Sequence, residues 1–189
     1  MAKKSNPEER LIQTAGRLFY HQGYNSTGIN QVLEEAKVAK ASLYKHFGSK
    51  EKLGLVYLQK ARVEWFNGLD KATAKEEKAL QKVLACFDFL EKNMKETNYL
   101  GCKFINMLSE LAEAESEMRE QIIAHKARLR SYIGDLVREA CIQKHNPKGE
   151  VLADTVYLLF EGAIVESKIV KDTWPIEAAR NSVKFLIGS

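Results

Sequence analysis

The residues best placed to do chemistry lie between Thr27 and Lys50, in the run TGINQVLEEAKVAKASLYKHFGSK. Thr27 has the hydroxyl of a helix N-cap, able to accept from a free N–H of the first turn. Ile29, Val32, Leu33 and Ala36 follow at helical spacing and give that helix one apolar stripe. Ala36-Lys37-Val38-Ala39 reads as a tight turn. A second short helix holds Leu43 and Phe47 inward, and its other face carries Lys40, Ser42, Tyr44, Lys45 and His46. Two apolar anchors under a basic, aromatic and hydroxylated face suit a helix laid in the major groove of DNA. Lys50 and the helix starts would meet phosphate, and the outer face the base edges. Alternatives remain open for three of these residues: Tyr44 as a half-buried surface tyrosine, His46 as a cap or packing group, and Lys50 as a solvated lysine.

Other chemistry is poorly supplied. The four histidines (His21, His46, His125, His145) sit in no nucleophile–His–acid order, and the chain has no H-E-x-x-H, paired-carboxylate motif or glycine-rich phosphate loop. Cys86, Cys102 and Cys141 are odd in number and widely spaced, which argues against a disulfide framework or a metal site. They read as reduced core thiols, with redox sensing as the alternative. The pattern calls for no metal, no cofactor and no enzymatic activity.

Charge supports a polyanion partner for the front of the chain alone. Residues 1–62 hold 11 Lys and Arg against 5 Asp and Glu, whereas residues 63–189 hold 18 against 20. No stretch approaches the roughly 18 apolar residues of a membrane span, and the first residues lack a signal-peptide core, so the expected location is the cytoplasm.

About nine helices must position these groups. The first starts at Asn6-Pro7-Glu8-Glu9, where Asn6 caps, Pro7 takes the first helical position and the acids complement the helix dipole; Gly23 ends it. Ser49 caps a long helix running from about Leu53 to Lys71. Further helices are expected over Lys75–Met94, Asn98–Glu113, Glu115–His145, Val151–Lys171 and Pro175–Ile187, with a break at Asn146-Pro147-Lys148-Gly149. The fold class is all-α: a helix-turn-helix domain over residues 1–50 and a larger helical domain over residues 51–189. The Val151–Lys171 helix has Leu152, Val156, Leu159 and Ala163 on one side and Tyr157, Phe160 and Ile164 on another. Two apolar sides point to a helical hairpin packed on its own copy, with Val183 and Leu186 contributing from the last helix; both sides could also be satisfied within one chain.

The run TGINQVLEEAKVAKASLYKHFGSKEKL resembles the DNA-binding signature of the TetR (AcrR-like) family of transcriptional repressors, in the order and spacing of cap, turn, Leu-Tyr-x-His-Phe and Ser-Lys-Glu. GCKFINMLSELAEAESEMREQI also looks like a segment common in that family. The resemblance implies a homodimer that holds a near-palindromic double-stranded operator and releases it when a small molecule enters the C-terminal domain. Thr27 and Lys50 would then contact phosphates, Ser42 and His46 would lie along the backbone, and Lys40, Ala41, Tyr44 and Lys45 would face the groove. Lys37 stands where the family's turn often has Gly, which asks a non-Gly residue to adopt a left-handed backbone; Ala41 stands where Gly, Pro or Thr is usual. For the effector pocket the candidates are Trp65, Phe66, Phe87, Leu90, Phe104, Met107, Leu108, Ile122 and Trp174, with Phe89 off its helix's main stripe. Cys102, His125, Glu110 and Asn106 could supply polar contacts. A ligand-independent or architectural DNA-binding protein is the competing reading, and a helical enzyme the more distant one.

Overall fold

The computed structural model describes residues 6–111 and 116–188. Regular structure among them is entirely helical: α1 (Pro7–Gln22), α2 (Ile29–Ala36), α3 (Lys40–His46), α4 (Lys50–Thr73), α5 (Ala79–Glu96), α6 (Lys103–Leu108), α7 (Glu117–Gln143), α8 (Gly149–Val170) and α9 (Trp174–Gly188). No helix there is long and apolar enough to cross a membrane.

The chain packs as two compact units. One comprises Met1–Val63 and Lys103–Ala124, the other Glu64–Cys102 and His125–Ser189. These packing units do not coincide with the 1–50 and 51–189 split expected from the sequence. Helix punctuation suggested a boundary at Lys50, but α4 runs on without a break and gives the first unit the buried Leu53, Tyr57 and Leu58.

In the first unit α1 is the scaffold. Asn6 caps the helix as the sequence suggested, its Oδ1 accepting from the Glu9 N–H at 2.8 Å, and the Glu9 carboxylate adds a return bond by accepting from the Asn6 N–H at 3.3 Å. Leu11, Ala15, Leu18 and Phe19 of α1 pack into a core shared with Val32 and Leu33 of α2, Leu43 of α3 and Phe47. Gly16 lets Tyr57 come close: a Cβ there would lie 2.8 Å from the tyrosine ring.

In the second unit α5, α8 and α9 pack together. Its core takes in Phe66, Leu69, Phe87, Leu90, Ile133, Val156, Phe160, Ile176 and Val183. Phe87 meets Phe160 edge-on, with ring centroids 5.3 Å apart.

Two helices start later than expected. Lys75–Lys78 is a turn, and α5 begins at Ala79, whose N–H donates to the Gln143 side-chain carbonyl at 3.2 Å. Residues 98–102 close α5 and do not open α6: Asn98, Tyr99 and Gly101 all have positive φ (50°, 57° and 82°), and the Tyr99 N–H donates to the Met94 carbonyl at 2.8 Å. The stretch expected as a helix over Asn98–Glu113 is therefore helical only over Lys103–Leu108, and its end, like the first residues of the chain, lies outside the described residues.

Candidate nucleic-acid interface

α3 shows the two-sided character its sequence requires. Leu43 is fully buried and Phe47 nearly so, while Lys40, Ala41, Tyr44, Lys45 and His46 are exposed and Ser42 is half-buried. Tyr44 is 50% exposed, with the Lys40 ammonium 5.9 Å from its ring centroid. His46 ends the helix, with Nδ1 3.6 Å from the Glu8 carboxylate.

Helix starts in this unit are of two kinds. α1 is capped by Asn6, and Ser49 Oγ accepts from the Lys52 N–H of α4 at 3.1 Å. α2 and α3 begin at Gly28 and Ala39 with no side-chain cap. Their first N–H groups are thus left for solvent or an external anion, which the positive end of a helix favours.

Thr27 departs from expectation. Its side chain is wholly buried and its hydroxyl donates backwards to the Gly23 carbonyl at 2.7 Å, so it neither caps α2 nor faces a phosphate. The turn from Gly23 folds that carbonyl under the threonine, and Gly28, in extended conformation, takes the N-cap position. Lys50 is not a freely solvated lysine: it is half-buried, with its ammonium 4.4 Å from the Tyr24 ring centroid. Burial pushes its pKa down and the Glu110 carboxylate pulls in the other direction. Lys37 adopts the left-handed conformation (φ 53°, ψ 50°) that its place in the turn demands.

The pocket candidates are divided between the units. Phe104, Asn106, Met107, Leu108, Glu110 and Ile122 belong to the first, the rest to the second. There Trp65, Phe66, Phe89 and His125 form one aromatic cluster: Trp65–Phe89 centroids lie 5.0 Å apart, Phe66–His125 5.6 Å and Trp65–His125 6.5 Å. The indole N–H of Trp65 is buried with no hydrogen-bond partner among the described residues. Sequence reasoning missed two members of this cluster, Tyr132, 6.1 Å from Phe66, and Arg128, whose guanidinium sits 3.9 Å from the Phe66 centroid. Phe87 and Leu90 are core, and Trp174 is 53% exposed. Cys102 is half-buried; Cys86 and Cys141 are buried, and burial pushes the Cys86 thiol up to about 12, as suits inert core thiols. Glu110, considered for the pocket, instead bonds the α1–α2 turn within the first unit.

The residues expected at the self-association face are mostly turned inward. Leu152, Val156, Ala163 and Val183 are buried inside their own unit, and Leu159 and Leu186 are half-buried against the same core. The bare apolar stripe of α8 is Val151, Leu158, Val165 and Ile169, and α9 adds Phe185. Their spacing of seven, seven and four was readable in the sequence, but the neighbouring stripe fits helical spacing equally well, and only packing against α5 and α9 decides which one turns inward.

Residues 11–55 match the family model for bacterial regulatory proteins of the tetR family, and residues 79–183 that for the tetracyclin repressor-like C-terminal domain. The HTH-type transcriptional repressor NemR of Escherichia coli (strain K12) is 26% identical over 189 residues, covering 96% of this chain and 94% of its own. The HTH-type transcriptional regulator LmrA of Bacillus subtilis (strain 168) is 27% identical over 181 residues, covering 89% of each. In fold, a TetR-family transcriptional regulator from Streptomyces coelicolor superposes with a TM-score of 0.88 at 24% identity, over 97% of this chain and 89% of that one. With both its front and its back matched, the chain belongs to the TetR family of DNA-binding transcriptional regulators.

Proposed function

We propose that the protein is a repressor that binds a near-palindromic operator as a homodimer and releases it when a small molecule occupies the second unit. The observation that carries this reading is α3: cationic and aromatic outside, anchored by Leu43 and Phe47 inside, and uncapped at its start. Lys40, Ala41, Tyr44 and Lys45 meet base edges. Lys50, Ser42 and the starts of α2 and α3 meet phosphate, and His46 lies along the backbone. The apolar stripe of α8 pairs with that of a second copy, which sets two α3 helices into successive major grooves about 34–36 Å apart. This work is done at the chromosome, in the cytoplasm, and calls on no cofactor.

The effector is an apolar, ring-bearing molecule with an acceptor for the Trp65 indole N–H, seated among Trp65, Phe66, Phe89 and His125. It releases DNA by binding the non-DNA form more tightly, a coupling that is reciprocal. α4 carries residues of both units and is the connection through which the spacing of the paired reading helices changes.

In-vitro selection from random duplexes, followed by footprinting, tests the DNA reading. Two inverted half-sites one helical turn apart are expected; a monomer without preference among duplexes at low salt sinks it. A small-molecule screen for operator release separates it from the ligand-independent alternative, which foresees no releasing compound. Trp65→Phe keeps the ring and removes the donor, so the concentration of such a compound needed for release should rise about 5- to 10-fold.

A further inference from the structure

The turn between α1 and α2 is held by a residue far along the chain. Glu110, two residues past α6, sets its carboxylate against it: Oε1 accepts from the Tyr24 N–H at 3.0 Å and Oε2 from the Asn25 N–H at 2.7 Å. The Asn25 side chain returns a bond, donating to the Glu110 carbonyl at 2.7 Å. Gly23 makes room, since at its φ of 98° a Cβ would stand 2.8 Å from the carboxylate. All of these residues belong to the first unit.

A carboxylate taking two consecutive main-chain N–H groups is a charge-assisted pair, about twice as strong as a neutral one. The turn it steadies adjoins the residues read above as phosphate contacts. Tyr24 and Asn25 lead through the buried Thr27 into the uncapped start of α2, and the Tyr24 ring is the platform on which the Lys50 ammonium rests. Lys50 also feels the Glu110 charge directly.

We propose that Glu110 is a positioning residue for operator binding, fixing from behind the start of α2 and the Tyr24 platform that aims Lys50 at phosphate. The inference rests on the reading of Lys50 as a phosphate contact. Glu110→Gln is the sharp variant: the amide fills the same space, but its NH2 group faces one of the two N–H donors and its charge is gone.

Binding of the full-length dimer to its selected operator is measured across a salt series, with thermal unfolding of each variant recorded without DNA. Although it removes a negative charge near the phosphate contacts, Glu110→Gln is expected to weaken operator binding about tenfold and to lower the salt slope by about one as Lys50→Ala does, while melting only a few degrees below wild type. The double variant should lose clearly less than the product of the single losses, because both act through one ammonium. Wild-type binding by Glu110→Gln overturns the proposal. So does a loss of affinity with an unchanged slope and multiplicative behaviour, the mark of a purely structural bond. If Lys50→Ala leaves the slope unchanged, the phosphate reading of Lys50 falls first. If it lowers the slope and Glu110→Gln does not, that reading stands and the role of Glu110 is overturned. Should Glu110→Gln fail to fold, Asn25→Ala carries the test: its exposed side chain loses one bond to Glu110, and about threefold weaker binding at unchanged melting is expected. Wild-type affinity there overturns the proposal.

Discussion

α3 and α8 each leave a face bare, and they leave opposite chemistries bare. α3 presents Lys40, Ala41, Tyr44 and Lys45 over a start that no side chain caps. α8 presents Val151, Leu158, Val165 and Ile169, between 52% and 72% exposed, flanked on α9 by Phe185 at 73%. The first face is comfortable in water and gains only when a polyanion arrives. The second is out of place in water, where each aliphatic side chain, already partly covered, forgoes roughly 1–2 kcal/mol of further burial. In the proposed reading one helix therefore takes a partner of opposite charge and the other a partner of like apolarity, so that the second arrangement duplicates the first.

The comparison breaks most visibly on α8. Leu158→Asp puts a charge in the middle of the bare stripe. Because Leu158 is 66% exposed in its own protomer, the variant should still fold, but sedimentation should find a monomer, and operator affinity should drop by about 100-fold or more as the two heads lose their tether. Val156→Asp, two residues away and fully buried, should instead unfold the second unit. A dimeric Leu158→Asp would show that the stripe serves something other than self-association.

That pair of neighbours also marks where sequence reading stops. Val156 and Leu158 are both apolar, both on α8 and both at helical spacing with like residues; nothing local tells which faces α5 and α9. α3 was legible because its inward anchors Leu43 and Phe47 alternate with polar residues, so the pattern has one solution. Thr27 was misread because a threonine before a helix can bond forward to a free N–H or back to a carbonyl, and the fold of Gly23 chooses the second. Glu110 was invisible to any local pattern: its partners stand 85 and 86 residues earlier, and no short-range spacing encodes that meeting.

On α3 the expected effects are smaller than on α8. Tyr44→Ala should weaken binding to the selected operator by about 1–3 kcal/mol if the ring touches a base edge or thymine methyl, with little change on random duplexes. Equal binding of variant and wild type to that operator removes Tyr44 from the readers. Lys50→Ala should weaken all duplexes about alike and lower the salt slope by roughly one. The contrast between the two separates reading from holding within a single face.

The smallest effect compares the ends of α2 and α8. Each closes on a lysine in the left-handed region, Lys37 at φ 53° and ψ 50° and Lys171 at φ 53° and ψ 44°. For a residue with a Cβ that conformation costs on the order of 1–2 kcal/mol, and glycine escapes it. Glycine also gives back about 0.4–1 kcal/mol through the greater freedom of its unfolded chain. The net gain from Lys37→Gly or Lys171→Gly should thus be roughly 0.5–1 kcal/mol, a rise in melting temperature of about 1–4 °C. The Arg10 guanidinium donates to the Lys37 carbonyl, a main-chain group the substitution keeps, so no compensating bond is lost. Lys171→Gly, on the unit that does not touch DNA in this reading, should leave operator affinity and its salt dependence unchanged. If Lys37→Gly stabilises by the same amount yet lowers the salt slope, Lys37 belongs with the phosphate contacts, and its strained backbone is kept for the charge that it places beside the reading helix.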